Sequence, residues 1–275
     1  MCIVTGSGVR TSALGLVRAC HPEPTVAVTA VATALAVAAG RGAAGAIAVA
    51  VAVLAGQLSV GWSNDLIDRD RDRLRGRQDK PIVAGLVAAT TVRRAAFIAL
   101  AATVPLSLLS GVEATAVHLV AVGAAWAYNV RIKSTVLSVL PYVIAFGLLP
   151  AFVTLGLPGA PWPPWWAVTA GALLGAGAHF ANVMPDIADD LATGVRGLPQ
   201  RLGRQSSSRV AAVLLLAASL VLVFGPGNVS WVTGVGLAIA TVLAVVAGIR
   251  GSFRAVLLVA VLNVALLLVR GSALH

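Results

Sequence analysis

Charged residues are scarce in this chain. Asp, Glu, Lys and Arg make up 11% of its 275 residues, whereas 59% are hydrophobic. A soluble domain of this length needs far more polar surface, so the composition excludes that class and favours a protein embedded in a lipid bilayer. Cysteine is almost absent as well. Cys2 and Cys20 both lie near the N-terminus and suggest neither a disulfide framework nor a Cys metal site, so we interpret them as incidental thiols.

The first 21 residues also lack a long apolar run followed by a small-residue cleavage site. This absence argues against a cleavable signal peptide and predicts that the first apolar helix is retained as a span. A spanning helix needs ~20 mostly apolar residues, and nine stretches of about that length follow one another along the chain. They are residues 24–40, 43–63, 92–110, 113–130, 135–156, 164–184, 209–225, 229–249 and 252–270. We therefore predict an all-α integral membrane protein with nine transmembrane helices in one domain, residues 1–275.

Lys and Arg residues are concentrated in alternate connections between the predicted spans. Of the 20 basic residues, 18 fall on one side of the bilayer, and only Arg41 and Arg270 fall on the other. The positive-inside rule places the richer side and the N-terminus in the cytoplasm, with the C-terminus outside. The net charge of +10 is thus concentrated on one face, where part of it can anchor the protein to anionic membrane lipid. We expect no nucleic-acid partner.

One pattern of six residues occurs twice, with an offset of 118 residues. We call the copies the first and second Asp-rich segments, residues 64–85 and 182–203. Their matching positions are Asn64, Asp68, Asp72, Gly76, Pro81 and Gly85, and then Asn182, Asp186, Asp190, Gly194, Pro199 and Gly203. The offset carries the chain through four predicted spans, and because four is even, both segments emerge on the same cytoplasmic face. This predicts two parallel four-helix repeats plus a ninth helix.

Each Asp-rich segment places three oxygen-bearing side chains four residues apart. In an α-helix each such step advances about 400°, so the three side chains lie along one stripe. They form two ladders, Asn64, Asp68 and Asp72 in the first and Asn182, Asp186 and Asp190 in the second. Clustered carboxylates near lipid need cations to neutralise them, and Mg²⁺ prefers oxygen ligands that it shares with substrate phosphates.

The alternating charges between Asp68 and Asp72 also have a simpler interpretation, because such a run is typical of a solvated helix end. That interpretation does not account for a second copy with matching glycines and prolines, so we favour a binding site. The glycines and prolines fit a helix stop, a loop and a new helix, which would fold a basic segment back over the ladder.

Basic and aromatic side chains follow the ladders. They are Arg77 and Lys80 after the first ladder, Arg196 and Arg201 after the second, and Tyr128, Arg131 and Lys133 at the end of the fourth predicted span. Cations in these places suit the phosphate oxygens of a diphosphate. Each arginine alone is also explained as a topology determinant. We favour Lys80, Lys133 and Arg77, because the only two lysines of the chain both lie beside the site.

At these residues the sequence resembles a known family. The run from Asn64 to Asp72 matches the NDxxDxxxD signature of the UbiA superfamily of intramembrane prenyltransferases. The run from Asp186 to Asp190, with Gly194 and Leu198-Pro199, looks like the second Asp-rich motif of that superfamily, and Tyr128 with Lys133 is similar to its Tyr/Lys element. Two positions depart from the family pattern: Lys80 precedes Pro81 where the family often has Arg, and Gly197 stands where Thr is usual.

The resemblance implies a nine-helix UbiA-like bundle and Mg²⁺-dependent transfer of a prenyl group from a polyisoprenyl diphosphate to an aromatic or other lipophilic acceptor within the membrane. It implies that the first ladder holds one Mg²⁺ and the second ladder another, with Asp68, Asp72, Asp186 and Asp190 as catalytic groups. The diphosphate would then be held by basic and aromatic residues: Arg77, Lys80, Tyr128, Arg131, Lys133 and Arg196. Terpene cyclisation and phosphoribosyl transfer to a lipid phosphate also occur in the superfamily and stay open, as does a different class, a transporter or lipid carrier.

Aromatic side chains on the predicted spans are candidates for stabilising a carbocation by cation–π attraction. They are Trp62, Trp126, Tyr128, Tyr142, Phe146 and Phe180. His179 lies two helical turns before Asp186, so it either reaches the cavity or is a buried histidine with a backbone or Asn partner. The chain has eighteen Arg against two Lys and is rich in Ala, Val and Gly. This composition favours a bacterial plasma membrane, with the site facing the cytoplasm.

Overall fold

The computed structural model describes residues 6–275, and in this range the chain is helical, with no β-strand. Cys2 lies outside the described residues, as does the side chain of Arg10. The α-helices are α1 (Gly6–Ala19), α2 (Pro22–Ala38), α3 (Gly42–Leu74), α4 (Ala89–Leu108), α5 (Val112–Val130), α6 (Leu140–Thr154), α7 (Trp165–Val183), α8 (Ile187–Ala192), α9 (Leu198–Phe224), α10 (Trp231–Arg250) and α11 (Phe253–Val269). Short 3-10 turns follow α5, α7 and α11.

Five helical segments are long and apolar enough to cross a membrane. They are α3, α4, α7 together with α8, α9 and α10. Three more apolar helices, α2, α6 and α11, have 10–17 residues each. A helix therefore occupies each of the nine predicted stretches, α5 being the remaining one, and the chain is an integral membrane protein. Length and composition single out five spans, so the count of nine stays a prediction.

The glycines of the Asp-rich segments end helices in the same way in both copies. Gly76, with φ 64°, and Gly194, with φ 79°, adopt the left-handed conformation that a side chain disfavours. In the first copy, Gly76 N–H donates to Arg73 O and the next N–H donates to Asp72 O. In the second, Gly194 N–H donates to Leu191 O and the next N–H donates to Asp190 O. This is the Schellman C-cap, and it confirms the predicted helix stop at both places.

The two ladders nevertheless lie on different local structures. The first ladder lies within the continuous helix α3, as predicted. The second does not, because α7 ends at Val183, Met184–Asp186 forms a 3-10 turn, and α8 begins at Ile187. Pro185 has no backbone N–H to continue the α-helical hydrogen bonding, and 3-10 geometry changes the rotation per residue. The prediction that Asn182, Asp186 and Asp190 share one α-helical stripe was therefore wrong.

Helices α6 and α7 approach each other closely because α7 presents glycines to α6. A Cβ atom placed on Gly175 would lie 2.3 Å from the carbonyl oxygen of Tyr142, and one on Gly171 would lie 2.4 Å from that of Phe146. Small residues four apart are the usual means by which membrane helices pack at short distance. This packing determines where Tyr142 and Phe146 stand.

We expect Gly175→Ala to lower the free energy of unfolding by about 1–3 kcal/mol, because the added methyl group forces the two backbones apart. The control is Gly123→Ala in α5, where an added Cβ meets no atom within 4 Å. Thermal denaturation in detergent compares the two variants. An unchanged melting temperature for Gly175→Ala would contradict the observed packing.

Candidate active site

Asp68 of the first ladder contacts one cation from its own helix and one from another part of the chain. Asp68 is only 8% exposed; it accepts a hydrogen bond from Lys133 Nζ, and its Oδ2 lies 2.9 Å from a guanidinium nitrogen of Arg71. Lys133 belongs to the short connection between α5 and α6. Burial lowers the pKa of the Lys133 ammonium, whereas Asp68 and, more weakly, Asp190 raise it. Lys133 therefore lies in the electrostatic field of both ladders.

A second cluster of buried polar groups lies beside the first ladder. Lys80 Nζ is 3.2 Å from Asp65 Oδ1, and the Asp65 side chain is almost completely buried. On its other side, Lys80 Nζ is 3.4 Å from His21 Nε2. Burial, reinforced by the Lys80 charge, lowers the pKa of His21 to about 4. The imidazole is thus neutral at pH 7 and is able to accept a hydrogen bond from the ammonium.

Asp72 differs from Asp68 because one of its carboxylate oxygens has no hydrogen-bond partner among the described residues. Its side chain is buried, and among the described residues its Oδ2 has no hydrogen-bond partner. Asn64, at the other end of the ladder, donates its amide to Asn129 Oδ1 at 3.2 Å. A buried carboxylate oxygen without a donor is unfavourable by itself and fits a bound cation.

The second ladder is more open than the first. Asn182 and Asp186 are exposed and Asp190 is half-buried. Asp190 Oδ2 accepts a hydrogen bond of 2.8 Å from Gln200 Nε2, and Asn182 donates to the Tyr142 hydroxyl at 3.2 Å. The Gln200 amide therefore fixes the last carboxylate of this ladder.

The charges of the two Asp-rich segments act on the same cations. Arg77 forms two hydrogen bonds to Asp79, of 2.9 and 2.6 Å, and these are the main cause of its raised pKa. Burial of Arg77 opposes the rise, whereas Asp72 of the first ladder and Asp186 of the second add to it. Lys133 gives the geometric link between the two segments: its ammonium contacts Asp68 of the first, and a Cβ atom placed on Gly197 of the second would lie 2.4 Å from its carbonyl oxygen.

Three of the predicted aromatic residues, Tyr128, Tyr142 and Phe146, form a cluster centred on Tyr142. The Tyr142 ring lies 5.3 Å from that of Tyr128, 6.2 Å from that of Phe146 and 4.9 Å from His179. Trp62 and Trp126 lie elsewhere: Trp62 donates to Leu16 O and Trp126 donates to the Ser59 hydroxyl. Phe180 is in the core, with its ring 5.7 Å from that of His179.

His179 is completely buried, which agrees with the second of the two interpretations made from the sequence. Its partner is the Ser138 hydroxyl, 3.0 Å from Nε2, and not a backbone or Asn group. Ser138 Oγ also accepts the N–H of Leu198 at 2.9 Å. The histidine thus connects the aromatic group to the start of α9.

Arg131 and Arg196, two of the predicted diphosphate ligands, are placed differently from the lysines. Both side chains are exposed, and neither forms an ion pair with another residue in the range 6–275. Lys80, Lys133 and Arg77 instead have carboxylate partners close to the ladders. Their positions therefore favour Lys80, Lys133 and Arg77 as the diphosphate-binding residues, as the sequence did.

Several residues of the site were not identified from the sequence. Gln200 contacts Asp190, but its counterpart in the first segment is Ile82, so the repeat gives no signal for it. Asn129 joins α5 to the first ladder, and its only sequence signal is its position next to Tyr128. His21 lies 59 residues before Lys80, and no local pattern connects the two.

The residue types of the ladders fit Mg²⁺, because they offer amide and carboxylate oxygens. Within the described part of the chain, no three His, Cys, Asp or Glu side chains stand close enough together to form a metal cluster. The positive charges nearest the buried carboxylates are those of Lys133, Arg71 and Lys80.

Comparison with known proteins gives one family. A family model described as the UbiA prenyltransferase family matches residues 25–257. No curated protein sequence matches the chain. A UbiA homolog from Archaeoglobus fulgidus bound to GPP and Mg²⁺ has a similar structure, with a TM-score of 0.71 and 19% sequence identity over 94% of this chain and 98% of that one.

Two further solved structures share the fold. The apo structure of a UbiA homolog from Aeropyrum pernix K1 has a TM-score of 0.68 and 22% identity, over 89% of this chain and 96% of that one. A digeranylgeranylglyceryl phosphate synthase has a TM-score of 0.72 and 13% identity, over 98% of this chain and 100% of that one. At these identities the similarity establishes the fold.

Proposed function

Because the chain belongs to the UbiA prenyltransferase family, we propose that it transfers a prenyl group from a polyisoprenyl diphosphate to a lipophilic acceptor within the membrane. The observation that carries this proposal is that Lys133 touches both Asp-rich segments, which are 118 residues apart in sequence: its ammonium contacts Asp68 of the first, and its backbone packs against Gly197 of the second. A diphosphate with divalent cations is the ligand that suits alternating carboxylates and ammonium groups.

Mg²⁺ is the cofactor that the ladders fit. Asn64, Asp68 and Asp72 would hold one ion, and Asn182, Asp186 and Asp190 a second. Mg²⁺ bound there supplies positive charge that neutralises the diphosphate as a leaving group. GPP and Mg²⁺ are bound together in the homolog from Archaeoglobus fulgidus, which supports Mg²⁺ as the cofactor.

The remaining groups of the site bind and orient the diphosphate. Lys80, Lys133 and Arg77 would donate hydrogen bonds to phosphate oxygens as negative charge grows on them, which is electrostatic catalysis by preorganised donors. Because their carboxylate partners hold these side chains at the ladders, little reorganisation is needed when the diphosphate binds. Arg131 and Arg196, which are exposed, would assist at the entrance.

The aromatic group beneath the second ladder suits the prenyl end of the donor. Tyr128, Tyr142 and Phe146 present ring faces and edges within a few ångströms of one another. Such rings attract a developing allylic cation by about 0.5–2 kcal/mol each, and apolar walls keep water from quenching it.

The acceptor separates prenyl transfer from the other reactions of the family. We propose an aromatic acceptor; terpene cyclisation and phosphoribosyl transfer to a lipid phosphate are the alternatives, and transport of a lipid is a further one. The test incubates purified protein with Mg²⁺, prenyl diphosphates of graded length and a panel of hydroxylated aromatics and prenylated glycerol phosphates. Mass spectrometry identifies the product.

We expect diphosphate release and a prenylated acceptor, both lost on chelation with EDTA and restored by Mg²⁺. If diphosphate is released and the product is a cyclic hydrocarbon, with no prenylated acceptor, the reaction is terpene cyclisation and not prenyl transfer. Absence of diphosphate release with every donor would overturn the proposal.

The site is proposed to face the cytoplasm of a bacterial plasma membrane. In a background without Cys2 and Cys20, we expect Gln78→Cys and Ala192→Cys to react only with a thiol reagent applied from the cytoplasmic side. Both positions are exposed beside the ladders. Leu109→Cys, exposed at the opposite end of α4, is the control and should react only from outside. The reverse labelling pattern would invert the topology.

A further inference from the structure

The backbone at His21 has a conformation that is uncommon for residues other than glycine. Its φ of 55° and ψ of 72° are in the left-handed region. Among the described residues, only His21 and Ala160 have a positive φ without being glycine. This conformation is unfavourable for a residue with a Cβ atom, and such strain persists where the surrounding structure imposes it.

The packing of the junction between α1 and α2 imposes the conformation. A Cβ atom on Gly61 would lie 2.1 Å from the Cys20 carbonyl oxygen, so the junction presses directly on α3, one turn before the first ladder. The same oxygen accepts a hydrogen bond of 2.8 Å from the Thr25 hydroxyl. The backbone on both sides of His21 is thus fixed against α3.

The side chain that this backbone presents contacts the site. His21 is half-buried, with Nε2 3.4 Å from Lys80 Nζ, and Lys80 in turn lies 3.2 Å from the buried Asp65. Lys80 is thus held between Asp65 and His21, neither of which is one of the three residues of the first ladder. A glycine at position 21 would remove the backbone strain but also the imidazole.

We propose that His21 is a positioning residue, which holds the Lys80 ammonium against Asp65 and directed towards the diphosphate. This inference rests on the proposed function. It assigns a role in the active site to the segment before α2, which is outside both Asp-rich segments. The strained backbone is retained because a glycine at this position, although unstrained, would have no side chain to reach Lys80.

The first test replaces the side chain and relieves the strain together. We expect His21→Gly to melt close to the wild-type temperature and to lower kcat/KM for the prenyl diphosphate about tenfold, as befits the loss of a hydrogen bond to a charged group. His21→Asn should recover most of the activity, because Asn tolerates the left-handed region and offers an acceptor oxygen. Ala160→Gly is the matched control: it relieves the same kind of strain far from the site and should leave kcat/KM unchanged.

The second test asks whether His21 acts through Lys80. In a Lys80→Met background, His21→Gly should have no further effect on kcat/KM, because the group that it positions is gone. Independent, multiplying losses would overturn the proposal, as would a His21→Gly variant with wild-type kinetics. Wild-type protein serves in every assay. If it releases no diphosphate, the proposed function fails, whereas an active wild type with an unaffected His21→Gly variant removes only the role of His21.

Discussion

Replacing Asp72 by Asn should lower kcat/KM for the prenyl diphosphate about a thousandfold, the scale of losing one preorganised charge-stabilising group in an active site. Asp72 is buried, and its Oδ2 has no partner among residues 6–275, so a bound cation is what would satisfy it. Asn has nearly the same shape but lacks the negative charge that a hard cation requires. Its neutral amide is also less costly to bury than a carboxylate, so the fold should persist.

The matched control for this substitution lies two residues away. Asp70 is on the same helix, but it is 70% exposed and contacts only Arg69 and Arg73. We expect Asp70→Asn to keep kcat/KM within about twofold of the wild type, because exposed ion pairs contribute little. Phosphate release in a coupled assay, with melting temperatures for both variants, makes the comparison. Equal activity of Asp72→Asn and wild type would remove Asp72 from the site.

Replacing Asp186 by Asn should lower kcat/KM by about two to three orders of magnitude. The effect tests the second ladder, in which Asp186 is exposed and Asp190 is half-buried. The charge of Asp186 also contributes to the raised pKa of Arg77 in the first segment. If the ladder holds a divalent ion, a higher Mg²⁺ concentration should restore part of the lost activity of this variant, because the remaining oxygens bind the ion more weakly.

Asp189→Asn is the control for the second ladder. Asp189 is three residues from Asp186, equally exposed, and absent from the repeated pattern. It should retain wild-type kinetics and an unchanged Mg²⁺ dependence. A large loss for Asp189→Asn together with a small loss for Asp186→Asn would mean that the 3-10 turn presents the other carboxylate to the site.

The charge-alternating run after Asn64 contains carboxylates in two different environments. Asp70 is a solvated helix-end residue with exposed arginine partners, as the simpler interpretation expects. Asp68 and Asp72 are buried, and Asp68 pairs with Lys133 and Arg71, an arrangement that suits a binding site. The helical period separates them, because residues two apart point to different sides of the helix.

The sequence by itself determined the environment, the family resemblance and the two places where charge collects. Composition is enough to predict a membrane protein, since a chain with 11% charged and 59% hydrophobic residues has too few polar side chains to cover the surface of a soluble domain. Identical spacing is enough to predict matching helix ends, since a Schellman cap depends only on a glycine at the right distance from the last turn. Gly76 and Gly194 have that geometry in the structure.

Tertiary structure alone decided which partners meet. His21 against Lys80, Gln200 against Asp190 and Lys133 against Asp68 are contacts made across helices. The break at Pro185 likewise turned two identical spacings into different local geometries. Helix caps and helical periodicity depend on backbone dihedral angles and residue spacing, which are encoded in the local sequence of each segment. Contacts between distant segments depend on how helices pack, and that packing follows from the small residues and shapes of all the helices together.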